Sequence, residues 1–288
     1  MAAVAQRARA AVVGNLVGDA AAVCNHWVYD PEKMAEAVKS ANRGPAFCDP
    51  PANGFYTTPP GGFSCYGDQT MCLLESLAEC RKFHAEDYSS RLAERFGKAS
   101  PYEGDAVDPE NWPDLKKNPT DADGKVIESE RLWTMPLPIP WRHGSIKGFL
   151  KKYTNEGKRY PECGSDDEQV DGCCKVAPLV ALYAGHPSLL PTVDAAVRVT
   201  QNTDKAVGYA CAFALVLEAL VLERAATVVE ACSQAAASLR GQSDFTVPLH
   251  DEVAAQLERI ATFAGKSSGD VGKALKPEGA GFPFAGLS

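Results

Sequence analysis

From residue 143 to residue 264 the chain reads as mostly helical. Ala, Leu, Val and Glu dominate, and His186-Pro187 and Pro191 punctuate the runs. Alternating β-branched residues, the mark of a half-buried strand, are scarce throughout. That pattern restricts the chain to an all-α fold, a compact multi-helix domain. Helices are expected over 144–153, 168–184, 188–200, 203–221, 223–238 and 249–264. The N-terminal part adds an alanine-rich helix over 3–23 and a short one starting near Pro31, whose missing amide suits a first turn, with Asp30 as its cap. Further helices are expected over 70–83 and 87–97.

Two stretches break this pattern. Residues 42–64 hold Gly, Pro and Asn at a density no regular helix accepts. Phe47, Phe55, Tyr56 and Phe63 within it are available to pack or to line a cleft. Residues 100–142 are Pro-rich and carry Trp112, Trp133 and Trp141. An irregular loop of that length in a compact protein is functional or disordered, and the tryptophans argue that this one packs. The 288 residues, 45% of them hydrophobic, can bury a large core, and a single domain over 1–288 is expected.

Charge and cysteines narrow the function classes. The balance of 29 basic and 37 acidic residues gives −8, spread along the chain. No basic face for a nucleic-acid backbone is evident, so no nucleic acid is expected as a partner. The apolar run 210–221 is interrupted by Glu218 and too short for a membrane span. Arg7 and Arg9 interrupt the opening, against a signal peptide. The expected location is the cytoplasm, with no membrane partner. The ten cysteines form no CxxC pair and several sit in apolar helical stretches, as core thiols do.

Known nucleotide and hydrolase motifs are absent: no Walker A loop, no GxGxxG after a strand, no GxSxG, no HExxH. The five histidines show no zinc-ligand spacing. Carboxylates and amides at helix junctions remain. Gly14 and Gly18 share a helix face, which lets a backbone or a ligand come close, and Asp19 follows them. Asp68, Gln69 and Thr70 stand at the mouth of an apolar helix, where Asp68 is either a cap or an oxygen ligand. Asp166, Asp167, Glu168 and Asp171 precede another helix, and Thr200–Asp204 forms a fourth junction. Four such junctions can converge on one cleft.

These segments carry a resemblance. Gly14-Asn-Leu-Val-Gly18-Asp-Ala20 resembles the opening GxxxGDA motif of the ADP-ribosylglycohydrolase family. Tyr66-Gly-Asp-Gln-Thr-Met71 resembles its Thr-Asp-Asp-Thr segment. Gly172-Cys-Cys-Lys-Val-Ala-Pro-Leu179 resembles its Gly-x-Met-Arg-x-x-Pro-Leu element, and Val199–Asp204 its Thr-His-x-Asp junction. The four come in the family's order over residues 8–240. Asn25-His26-Trp27, Trp141–Ser145 and Pro161–Asp167 look closer to the subgroup of J1-type crystallins and selenoprotein J.

The resemblance implies an all-α hydrolase of the glycosidic bond of an ADP-ribosyl adduct, built around magnesium. Its partner would be an ADP-ribose-like small molecule or an ADP-ribosylated substrate. Carried over by position, Asp68 is a metal ligand and Thr70 the final threonine. Gln69 replaces the family's second aspartate and Gly67 a ligand threonine. The expected site is then Asp68 and Asp19 as catalytic carboxylates, with Asp68, Gln69 and Thr70 around a weakened magnesium site. His26 falls about where active relatives carry a glutamate, and Gln201 where a histidine is usual. The family's remaining ligands come from an Asp-rich segment near its end. The chain closes on Gly281–Ser288 without one, so a domain truncated at its C-terminus is expected. These departures set a second expectation against the first: a non-catalytic member, structural in the manner of a crystallin or binding ADP-ribose.

Overall fold

The computed structural model describes residues 2–28, 30–40, 47–241, 244–267 and 270. The segment 271–288, on which the C-terminal expectation turns, lies outside the described residues. Ten α-helices are present among those described: α1 (Ala2–Ala22), α2 (Pro31–Ser40), α3 (Cys65–Cys80), α4 (Ala85–Phe96), α5 (Gly144–Leu150), α6 (Val176–Tyr183), α7 (Leu189–Arg198), α8 (Asp204–Val221), α9 (Val228–Arg240) and α10 (His250–Ala261). Extended pairing among them is limited to four isolated bridges, and no sheet forms. The fold is all-α. No helix of the described residues is long and apolar enough to cross a membrane.

The core is centred on α8. Residues on every side of it are buried, from Ala206 to Val221, the pattern of a helix enclosed by protein rather than laid on a surface. α7 and α9 pack against it, α10 pairs with α9, and α6 connects this body to α1. All ten cysteines are free, and seven are buried, consistent with thiols used as small hydrophobes. The long irregular stretch is packed through its tryptophans. Trp112 is buried and donates its indole N–H to Glu103 at 2.8 Å, and Trp133 donates to the Lys116 carbonyl at 2.7 Å.

Helix starts follow local chemistry. Asp30 Oδ1 accepts the N–H groups of Glu32 and Lys33 at 2.9 and 3.3 Å, capping α2. Thr203 and Thr227 cap α8 and α9 in the same way. The segment expected as one helix over 168–184 is divided: a 3₁₀ turn over Val170–Lys175 feeds α6. α3 departs further. It begins at Cys65, five residues before the expected start, and its N-cap is Ser64, whose hydroxyl accepts the Tyr66 N–H at 3.1 Å. Asp68 lies inside the first turn and is not the cap. The Gly14–Gly18 face also differs from a packed one: a Cβ added at either glycine meets nothing within 4 Å among the described residues.

Ser64→Ala removes the α3 cap and leaves one end-turn amide unsatisfied. It is expected to lower unfolding free energy by about 1 kcal/mol, read as a shift in the urea midpoint at unchanged slope.

Candidate functional site

The α3 entrance is tied to α1 through Asp19. Its carboxylate accepts the Ser64 N–H at 2.9 Å and the Ser64 hydroxyl. The helix N-terminus supplies positive potential there. Burial nevertheless dominates, pushing the Asp19 carboxyl above its ordinary value against the Ser64 bonds, with the Asp68 charge adding to the rise. Gly67 stands against the same carboxylate. A Cβ built on it would overlap Asp19 Oδ2 and stand 2.9 Å from Phe63 Cβ. The glycine is therefore part of how Asp19 fits, and a threonine at that position has no room.

Asp68, Gln69 and Thr70 point to three different environments. Asp68 accepts the Tyr102 hydroxyl at 2.6 Å and pairs with Arg95 at 3.2 Å. Burial raises its carboxyl, and those two partners oppose the rise. Gln69 is fully buried, with neither amide atom hydrogen-bonded. Thr70, also buried, donates within reach of the Tyr66 and Cys174 carbonyls at 3.0 and 2.9 Å. A magnesium ion asks for a near-octahedral set of oxygens. This segment offers one carboxylate, already neutralised by a guanidinium that would repel the ion. Gly67 offers no side-chain ligand. As they stand, these residues do not fit magnesium.

The junction chemistry does gather, but elsewhere. His143, Asp167 and Asp171 each place one ligand-type atom within 4.8 Å of the others'. This is the one group of three or more His, Cys, Asp or Glu side chains among the described residues with that geometry. His143 Nδ1 lies 3.3 Å from Asp171 Oδ2, and both side chains are nearly inaccessible. Ser145 Oγ is 2.6 Å from the same carboxylate oxygen and 3.0 Å from Nδ1. Gln169 Oε1 lies 3.0 Å from His143 Nε2. Gln201 donates to the Gln169 carbonyl at 2.7 Å and to Asp167 Oδ1 at 3.3 Å.

Charge accounts for the titration behaviour of the pair. Burial alone would lower the His143 pKa, but Asp171, Gln169 and Asp167 outweigh it and hold the imidazole above its ordinary value. Burial alone would raise Asp171, and His143, Lys175 and Ser145 bring it below the usual carboxylate range. Lys175 is itself fully buried. It donates to Thr200 Oγ1, and burial lowers its pKa against the pull of Cys174 and Asp171.

An aromatic cluster lies between the two groups. Trp27 and Trp141 meet edge to face at 4.4 Å, Trp141 and His143 at 5.4 Å, and Tyr66 and His143 have centroids 5.6 Å apart. Phe55 closes on Trp27 at 5.1 Å. His26 packs on Trp27, Tyr56 and Tyr66 and shares a 2.6 Å hydrogen bond with the Tyr56 hydroxyl. Trp27 itself holds φ at 65°, a left-handed backbone that is costly for a bulky residue. The surrounding rings fix it.

A sequence model of ADP-ribosylglycohydrolases matches residues 1–285. The chain belongs to the ADP-ribosylglycohydrolase family. Crystallin J1B of Tripedalia cystophora is 33% identical over 219 residues, which are 76% of this chain and 59% of that protein. Crystallin J1A of the same animal is 33% identical over 216 residues, 75% of this chain and 58% of the relative. The match thus spans less than two thirds of the length of these crystallins. Set beside the family pattern, the α3 segment is the departure and the His143 group is the feature that motif reading passes over. Trp141–Ser145 and Pro161–Asp167 were marks of a subgroup without a chemical role. The acidic run at 166–171 was the available signal, but its partner histidine lies more than twenty residues away in the chain.

Two outcomes are expected. Gly67→Thr introduces the residue that the resemblance implies at this position but drives its side chain into Asp19. It should cost about 1–3 kcal/mol of stability, measured by chemical denaturation, without gain of magnesium affinity. The His26 pKa is lowered to about 4, chiefly by burial and also by His143. Between that value and 6.5 the unfolded chain binds the proton that the folded one refuses. Stability contributed by neutral His26 is therefore full above pH 6.5 and declines as pH falls toward 4. His26→Gln should flatten the fall in melting temperature over that window.

Proposed function

We propose that this chain is a degenerate ADP-ribosylglycohydrolase: it engages an ADP-ribosyl group but holds no magnesium on Asp68, Gln69 and Thr70 and does not turn over through them. The observation that carries this reading is the Arg95 guanidinium 3.2 Å from the Asp68 carboxylate. A cation already pairs with the carboxylate that the resemblance makes a metal ligand, and the Tyr102 hydroxyl takes the other carboxylate oxygen. Family membership supports the ADP-ribosyl ligand. So does the wall of His26, Trp27, Tyr66 and Trp141 beside the α3 entrance, since aromatic faces suit planar or sugar-like groups.

The competing proposal is a hydrolase of the glycosidic bond of an ADP-ribosyl adduct, with Asp68 and Asp19 as its carboxylates and magnesium on Asp68, Gln69 and Thr70. One observation favours it. Burial raises both carboxyls above their ordinary value, the direction that favours a group acting as a general acid toward a leaving group.

Calorimetric titration with ADP-ribose, together with release assays on ADP-ribosylated protein with and without magnesium, separates the two. The expected result is ADP-ribose binding indifferent to magnesium, with no magnesium-dependent release. Release that requires magnesium and disappears in Asp68→Asn would establish the hydrolase instead. Absence of ADP-ribose binding would defeat the ligand-binding reading.

A further inference from the structure

We propose that His143, Asp167 and Asp171 form a divalent-metal site of their own, separate from the α3 segment and suited to a borderline ion such as zinc. One imidazole and two carboxylates make a mixed nitrogen–oxygen set, which zinc accepts readily and magnesium does not favour. Two ligands about 2.1 Å from a common ion stand a little over 3 Å apart at angles between square and tetrahedral, and His143 Nδ1 and Asp171 Oδ2 are 3.3 Å apart. Asp167 brings its oxygen within 4.8 Å of both.

Two buried oxygens here lack hydrogen-bond partners. Asp171 Oδ1 is buried with no hydrogen bond, on a side chain only 2% exposed. Gln201 Oε1 is likewise unpartnered on a fully buried residue. It lies 3.1 Å from where a Cβ on Gly172, next in the chain to Asp171, would stand. A buried carboxylate oxygen left without a partner is costly, and a cation held on the Asp171 carboxylate would relieve that cost. The nearest buried ammonium, on Lys175, is directed at Thr200 Oγ1.

The surroundings resemble the outer support that metal ligands need. Gln169 places Oε1 on His143 Nε2 at 3.0 Å, which leaves Nδ1 on the side of Asp171. The Gln169 N–H at 2.8 Å and Gln201 Nε2 at 3.3 Å both hold Asp167 Oδ1. Gly144 keeps space for Asp167: a Cβ there would come within 2.9 Å of Oδ2. Ser145 bridges the pair from its Oγ and donates its N–H to Nδ1 at 3.2 Å. On metal entry those Ser145 bonds to Nδ1 and Oδ2 are replaced by the ion, and any proton on His143 is released to solvent.

Cobalt(II) is the probe, added to the full chain after chelator treatment and followed by visible absorption. One equivalent should bind with four-coordinate ligand-field bands and no thiolate charge-transfer band, and zinc should displace it. His143→Gln and Asp167→Asn should each weaken binding by about tenfold or more, while Asp68→Asn leaves it unchanged. Asp167 is only half-buried, so its variant decides the matter if the His143 variant does not fold by circular dichroism. No saturable binding to the folded wild type, a thiolate band, or binding unaltered in both variants would overturn the proposal. The readout needs no ADP-ribosyl ligand, so its result stands apart from the functional reading above.

Discussion

One backbone carbonyl, that of Cys174, ties the N-terminal and C-terminal halves of the motif set together. It accepts Asn15 Nδ2 at 3.0 Å from α1 and Thr70 Oγ1 at 2.9 Å from α3. The carbonyl has no helical i+4 partner because the residue four on, Pro178, carries no N–H to donate. The 3₁₀ turn over Val170–Lys175 presents Asp171 to His143 and Lys175 to Thr200. Were residues 170–175 a regular α-helical extension of α6, these side chains would point along a different face.

Around this hub the two clusters differ in how their charge is balanced. At the α3 entrance each carboxylate has a protein partner: Asp19 has Ser64 and the helix start, Asp68 has Arg95 and Tyr102. Magnesium chemistry needs carboxylates held ready for a cation, and here the cation is an arginine. Around His143 the balance is less complete. Asp171 pairs through one oxygen and leaves the other bare in a buried place. An unpaired buried acceptor is more demanding than an exposed one, because water cannot compensate it.

Much of the fold was legible because its signals are local. Helix formers with Asp30 or Thr203 before them give helices where those residues stand, since a cap satisfies amides two or three positions on. The ordered glycine and aspartate motifs identified the family for a similar reason: the sequence retains them side by side. α3 shows the limit. Asp68 and Ser64 are both plausible caps by residue type, and the choice fell to Ser64 because Asp19, far off in the chain, bonds that serine and fixes the backbone there. Gly14 and Gly18, paired at helical spacing, face open space among the described residues because no element is brought over them.

The sequence by itself determined an all-α chain of this family with a depleted α3 motif: Gly67 and Gln69 are visible as letters, and helical periodicity is a property of neighbours. Only the tertiary structure decided what the surviving groups do. Arg95 and Tyr102 reach Asp68 from α4 and the loop beyond it, and His143 meets Asp167 and Asp171 across an intervening helix and loop. Electrostatic partnership depends on distances of a few ångströms between residues remote in the chain, and no local pattern encodes those distances.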